Sequence, residues 1–277
     1  MTQNPNTPRR WFITGANSGF GMAFTQAALQ AGDEVVAAVR RPETMKALAA
    51  DHPDRLTVVE LDVRDGAARR RAVDAAGHID VLVNNAGYGI TGAVEETSDE
   101  ALREAMEVMF FAPLALTRLV LPQMREHRGG TIVQVSSMGG LLAFAGTGAY
   151  CAAKGALEQA SEALAAEIAP FGIKVLLVEP GAFRTSFASP DALRNATPIA
   201  DYAETAGATH ANISSSHGTQ DGDPGKAAAA LLEVLDLPDP PLRLALGPDA
   251  VSAIRAKLAA VAADLDATAH LGLHTSL

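Results

Sequence analysis

Trp11-Phe12-Ile13-Thr14-Gly15-Ala16-Asn17-Ser18-Gly19-Phe20-Gly21 runs from an apolar segment through three glycines into a helical pattern. Trp11–Thr14 has the continuous apolarity of a strand covered on both faces. Glycines at 15, 19 and 21 permit a tight turn and a close approach of backbone N–H groups to a pyrophosphate. The N-terminus of the helix that follows, near Gly21–Ala31, favours that negative charge. These residues therefore read as one strand–turn–helix unit with a nucleotide-binding candidate at its turn. A turn that merely joins strand to helix is the other reading.

The same rhythm continues along the chain. Glu34–Val39, Leu56–Leu61, Asp80–Val83, Thr131–Val135, Lys174–Val178 and Leu242–Leu246 read as further strands. Helical patterns lie near Glu43–Ala50, Gly66–Ala76, Ser98–Glu126, Ala149–Phe171 and Asp249–Leu265, with Ser98 placed to cap its helix. Such alternation predicts right-handed crossovers and an α/β fold. The expected form is one doubly wound, Rossmann-type parallel sheet of about seven strands, spanning residues 1–277, with helices on both faces. Residues 186–225 break the rhythm with a loop-like composition, and read as a lid inserted in that domain.

Composition bounds the setting. The chain has 277 residues, 48% hydrophobic and 19% charged, enough apolar surface for a sizeable core. Alanine supplies about a fifth of the residues and aromatics only 5%, which favours helices packed closely on a sheet. The formal charge of −10 argues against nucleic acid or an anionic membrane as partner. No apolar run approaches the ~18 residues of a membrane span. Met1–Arg10 is polar and reads as an exposed end; Arg9-Arg10 lacks the apolar segment that a twin-arginine signal needs. One cysteine, Cys151, cannot form an intrachain disulfide and fits a reducing cytoplasm. With no cysteine cluster and scattered histidines, nothing points to a metal.

Two constellations carry chemistry. At the end of the second strand, where a reader of a ribose 2′-hydroxyl would be acidic, stand Arg40 and Arg41. Guanidinium groups suit a phosphate, so the expected cofactor is NADP(H); two solvated charges are the alternative. Tyr150 and Lys154 share a helix face at i and i+4, and Ser137 follows the strand Thr131–Val135. In a doubly wound sheet, these would meet at the crevice beyond the strands' C-terminal ends.

Taken in order, these residues resemble the short-chain dehydrogenase/reductase family across roughly residues 10 to 185. The matching stretches are Thr14–Gly21, Leu61-Asp62-Val63, Asn84-Asn85-Ala86-Gly87, Ser137, Tyr150-Cys151-Ala152-Ala153-Lys154 and Pro180-Gly181-Ala182-Phe183-Arg184-Thr185. The resemblance implies an oxidoreductase that interconverts a ketone or aldehyde and its alcohol. Its ketoreductase and hydroxysteroid-dehydrogenase-like branch is the nearest in character. Tyr150 is then the general acid/base, Lys154 stabilises its phenolate and holds the nicotinamide ribose, and Ser137 bonds the substrate oxygen. Gly15, Asn17, Ser18, Gly19, Phe20 and Gly21 form the cofactor turn, and Arg40 meets the 2′-phosphate. Asp62 and Val63 flank the adenine; Asn85, Ala86 and Gly87 line the cofactor. Pro180, Gly181, Phe183 and Thr185 position the carboxamide. The family also implies a homodimer or homotetramer built on the Leu102–Leu121 and Tyr150 helices.

One position departs from the family. Met109 stands where many members carry an asparagine that helps hold a proton-relay water. A thioether accepts weakly and cannot donate. A non-catalytic NADP(H)-binding or regulatory protein is therefore the alternative, and a dehydratase or epimerase of similar fold a further one. Met138, Phe144, Phe183, Phe187 and Tyr202 are expected to line an apolar substrate pocket. His210 and His217 read as surface or lid residues, and Cys151 as a small packed side chain.

Overall fold

The structure, a computed structural model, describes residues 8–276, so most of the polar Met1–Arg10 end lies outside the described residues. In chain order the strands are β1 (Arg10–Thr14), β2 (Glu34–Val39), β3 (Leu56–Glu60), β4 (Val81–Asn84), β5 (Gly89–Thr91), β6 (Thr131–Val135), β7 (Lys174–Pro180), β8 (Leu193–Asn195) and β9 (Arg243–Leu246). The helices are α1 (Gly19–Gln30), α2 (Lys46–Asp51), α3 (Gly66–Ala76), α4 (Asp99–Met106), α5 (Ala112–His127), α6 (Gly148–Ile168), α7 (Ala208–Ser215), α8 (Pro224–Leu235) and α9 (Pro248–Gly272). Seven strands pair in the order β3-β2-β1-β4-β6-β7-β9, every pair parallel. The winding reverses between β1 and β4, which opens a crevice above the C-terminal ends of those strands. This is the expected Rossmann-type fold.

Strand alternation divides the core into two layers. Trp11 and Ile13 face one side with Val35, Val83 and Val133, under Phe24 and Leu29 of α1 and Leu231 of α8. Phe12 faces the other with Val36, Leu82 and Ile132, under Val73 of α3, Leu116 of α5 and Leu164 of α6. Both sheet faces are therefore covered, which is why these strands carry no polar alternation.

Four expectations need correction. The helix expected over Ser98–Glu126 is not continuous. Ser98 does cap α4, accepting from Ala101 N at 3.2 Å, but a π-helical turn at Glu107–Phe111 separates α4 from α5. Pro113 has no N–H for the Met109 carbonyl four residues back, so regular α-helical bonding fails there. Contrary to the hydropathy reading, residues 99–127 do reach the length and apolarity of a membrane span. Ala112, Leu116, Val120 and Met124 are buried in the core layer, as in a helix that packs on a sheet.

Residues 186–225 are also more ordered than their composition suggests. They hold β8, the π-helical turn Ala203–Gly207 and α7. β8 pairs with β5 through Gly89↔Leu193, Ile90↔Arg194 and Thr91↔Asn195. A three-residue ladder is too short to leave a periodic signal. The last helix, expected to end near Leu265, continues to Gly272 because nothing before that glycine breaks it.

Candidate active site

The crevice is a cleft of about 760 Å³. Gly15, Asn17, Ser18, Gly19, Phe20, Arg40, Asp62, Val63, Asn85, Ala86, Gly87, Ser137, Tyr150, Lys154, Pro180, Gly181, Phe183 and Thr185 all line it. Gly21 alone among the expected site residues does not. A Cβ on Gly21 would lie 2.2 Å from the Gly15 carbonyl oxygen and 2.6 Å from Asn85 Nδ2. It therefore packs α1 closely against the turn from beneath.

Asn85 fastens that turn. Its Nδ2 donates to the Thr14 and Gly15 carbonyls at 2.9 and 3.2 Å. Thr14 Oγ1 accepts from Asn85 N and Ala86 N at 2.9 and 3.0 Å, so β1 and β4 are tied at the switch point. Gly15 and Gly19 have φ of +63° and +52°, which only glycine adopts readily. Ser18 precedes α1 in extended conformation without a side-chain capping bond, so α1's first N–H groups face the cleft uncapped. A helix N-terminus presented this way is an anion site, and it fits a dinucleotide pyrophosphate.

Arg40 and Arg41 follow the buried end of β2, are exposed, and line the same cleft. Neither guanidinium is held in an ion pair among the described residues. Asp62, by contrast, is engaged. Arg64 donates to both of its oxygens, and this pairing holds its carboxyl below the ordinary carboxylate range. Arg64 also bonds Glu104, which takes the guanidinium of Arg194 on β8 at 2.5 Å. Arg194 lies 4.1 Å above the Tyr88 ring. This Asp62–Arg64–Glu104–Arg194 chain ties β8 to the β3–α3 loop beside the cleft. No motif announces it, because its members are scattered over the β3–α3 loop, α4 and β8.

The reacting end is set by β6 and α6. Three successive residues leaving β6 each hold one of three side chains spaced by four along α6. The Val135 carbonyl accepts from Lys154 Nζ at 2.7 Å, and Ser136 Oγ donates to Glu158 Oε1 at 2.5 Å. The Ser137 hydroxyl contacts the Tyr150 phenol and draws its pKa down. Ser137 Oγ also accepts from Gly139 N at 3.0 Å, which orients it. Residues i, i+4 and i+8 share one helix face, so the strand end is in register with three turns of α6.

Burial dominates the electrostatics. Tyr150 is raised well above its usual value near 10, because an ionised phenol would be desolvated there. Lys154 is lowered to about 8 for the same reason, and the Glu158 carboxylate partly opposes that shift. Its ammonium lies 5.7 Å from the centre of the Tyr150 ring. Glu158, fully buried, also takes Arg243 Nη1 at 2.6 Å; Arg243 further pairs with Glu179 and Glu162. Glu158→Gln removes a charge that supports protonated Lys154. The alkaline limb of kcat/KM for carbonyl reduction should then fall below its wild-type position near pH 8. A pH–rate profile measures this; an unmoved limb in the variant would show that Glu158 does not act on Lys154.

Met109 is 1% exposed and does not line the cleft. Its Sδ would lie 3.6 Å from a Cβ placed on Gly87, so the thioether packs against that backbone as core. Met109→Asn should cost roughly 1–3 kcal/mol of stability by burying an amide among apolar groups. It should leave kcat unchanged, as urea unfolding and turnover assays would show; a tenfold faster variant would instead mark Met109 as rate-limiting.

At the mouth, Met138, Phe144, Phe183 and Phe187 line the cleft as expected, with Ile90, Leu193 and Ile213 added. Phe187 meets the Tyr150 ring edge-on at 5.5 Å. Tyr202 does not line it: its hydroxyl donates to Glu95 at 2.6 Å on the surface. His210 Nδ1 lies 2.7 Å from Thr91 Oγ1 and ties α7 to β5. Cys151 is buried beside Thr147. Asp249, at the start of α9, accepts from Ala182 N at 2.7 Å and pins the Gly181 turn.

A doubly wound sheet with an anion-binding first turn, and a Ser–Tyr–Lys set at the same crevice, defines a dinucleotide-dependent oxidoreductase. The short chain dehydrogenase family model matches residues 10–195, and the chain belongs to that family. It is 39% identical over 246 residues to the oxidoreductase BOA17 of Botryotinia fuckeliana, covering 87% of this chain and 89% of that one. It is 35% identical to the 3-ketodihydrosphingosine reductase of Bacteroides thetaiotaomicron, over 87% of this chain and 88% of the relative. A short-chain dehydrogenase from Streptomyces avermitilis superposes with a TM-score of 0.93 at 46% identity, covering 99% of this chain and 100% of that one. Family structures in complex with NAD, from Burkholderia phymatum, and with NADP, from Burkholderia cenocepacia, have TM-scores of 0.79 and 0.73. They are 26% and 27% identical and cover 90% and 97% of this chain, 92% and 98% of theirs.

Proposed function

We propose that this oxidoreductase uses NADP(H) to interconvert an apolar ketone or aldehyde and its alcohol, with Tyr150 as the general acid/base. The observation that carries the reading is the convergence of Ser137, Tyr150 and buried Lys154 on one cleft. Bound cofactor supplies or accepts the hydride. Ser137 and Tyr150 bind the substrate oxygen, and Tyr150 gives its hydroxyl proton to that oxygen in reduction. A phenol held above pKa 10 is protonated throughout the neutral range, which suits a proton donor. Lys154 holds the nicotinamide ribose, and its charge favours the phenolate left behind.

Arg40, with Arg41 beside it, binds the 2′-phosphate; α1's N-terminus and the Gly15–Phe20 turn take the pyrophosphate. Asp62, Val63, Asn85, Ala86 and Gly87 line the adenosine side, and Pro180, Gly181, Phe183 and Thr185 the nicotinamide. Residues 186–225 act as the substrate lid. Phe144, Phe187, Leu193 and Ile213 favour a substrate with substantial apolar surface, in keeping with the lipid-derived substrate in the Bacteroides relative's name. The non-catalytic alternative rested on Met109, whose side chain lies outside the cleft, so no observation favours it.

The test is NADPH consumption across a panel of apolar ketones and aldehydes, with product analysis. Alcohol formed in step with NADPH oxidation supports the reading. Tight cofactor binding without turnover across the panel, or a dehydrated or epimerised product, overturns it.

A further inference from the structure

Among the described residues, α9 is anchored only at its start. Ala250 and Ile254 are buried, whereas residues 255–268 are exposed on every side. Within this free half, Leu258, Val261 and Leu265 are 58%, 48% and 65% exposed. Their spacing of three and four residues places them on one stripe, which continues the line of Ile254 and has Ala262 beside it. An alanine-rich helix can hold its shape without packing, but an unpartnered leucine stripe has no role in a monomer's own core.

The charges beside the stripe decide what covers it. At 100° per residue, Lys257 and Asp264 lie along one flank, and Arg255 and Asp266 along the other. On each flank the cation comes first and the acid second. When two such helices pair antiparallel about a twofold axis, each flank meets the same flank of its partner. Lys257 then stands level with the partner subunit's Asp264, and Arg255 level with the partner subunit's Asp266. Both pairs have the same registration, centred between Ala260 and Val261, so both can form at once. Parallel pairing sets opposite flanks together, which brings Arg255 against Lys257 and Asp264 against Asp266. The sequence thus opposes one arrangement and supports the other.

We propose that the free half of α9 is a self-association surface that pairs antiparallel with α9 of a second copy of this chain. Leu258, Val261 and Leu265 interleave with the same residues of the partner, and the two flanks supply four opposite-charge contacts. The surface is separate from the cleft and from the α4–α6 face. A chain of net charge −10 with mixed flank charges is a poor match for an anionic lipid surface, which leaves a second copy as the fitting occupant.

Sedimentation equilibrium on the full chain tests this with four proteins at micromolar concentration. The wild type should have twice the mass of Leu258→Glu/Leu265→Glu, with equal far-UV circular dichroism. Those side chains are exposed, so the variant keeps its fold. Lys257→Asp sets a carboxylate against the partner subunit's Asp264 and should weaken association at least tenfold. Lys257→Asp/Asp264→Lys exchanges the pair and should restore it. Equal masses for wild type and the leucine variant overturn the proposal, including the case where a monomeric wild type sediments with phosphatidylcholine vesicles. Stronger association by Lys257→Asp alone overturns the antiparallel arrangement, because only parallel pairing gains a contact from it.

Discussion

Tyr150→Phe should lower kcat for carbonyl reduction by about 10²–10⁴-fold, the usual contribution of a positioned general acid. The substitution deletes one oxygen and little else. The ring keeps its edge contact with Phe187 at 5.5 Å, and Lys154 keeps its bond to the Val135 carbonyl. Ser137 still accepts from Gly139 N, so its hydroxyl stays in place. Loss of one buried hydrogen bond costs about 1 kcal/mol of stability, too little to unfold the chain. The Kd for NADPH should therefore change by no more than about twofold, while turnover collapses. Fluorescence titration of cofactor and steady-state kinetics on one preparation separate the two effects. Activity within tenfold of the wild type would remove Tyr150 from its role. A parallel loss of cofactor binding would show instead that the phenol holds the cofactor.

The fold was legible in the sequence because its strands are buried on both faces. Continuous apolar runs such as Val35–Val39 and Leu82–Val83 leave a signal that needs no partner to interpret. The site was legible where chemistry sits on one element or one turn. Tyr150 and Lys154 declare themselves by helical spacing, and Gly15 and Gly19 by a turn that other residues resist. What could not be read depends on residues far apart in sequence. Glu158 is a glutamate on a helix until Ser136 and Arg243 close around it. The clasp from Asp62 to Arg194 joins a loop, a helix and a strand, and each member alone looks like a solvated charge. Gly21 shows the opposite case: its spacing reads as a ligand-contacting glycine, whereas the space a Cβ would need there is filled by Gly15 and Asn85 beneath the turn. Tyr202 was aromatic and in the right segment, but Glu95 holds it on the surface.

Arg40→Asp combined with Arg41→Ala should reverse the cofactor preference, lowering kcat/KM for NADPH by about 10²–10⁴-fold and raising that for NADH. A charge-assisted hydrogen bond contributes about 1.5–3 kcal/mol, so the loss of two guanidinium contacts to a phosphate spans that range. The new carboxylate adds repulsion toward the 2′-phosphate and can accept from a ribose 2′-hydroxyl. The site permits the exchange. Val39 is buried, but Arg40 and Arg41 leave β2 into the open cleft and support no packing, so the fold is indifferent to them. Asp62 cannot substitute as the acidic reader, because Arg64 occupies both of its oxygens. Salt provides a second readout on the unaltered protein. Exposed charge pairs weaken as ionic strength rises. The Kd for NADPH should therefore rise with added salt more steeply than the Kd for NADH, and the variant should lose that difference. If the wild type prefers NADH, or if both cofactors weaken equally in the variant, the two arginines are solvated charges and the 2′-phosphate is not read here.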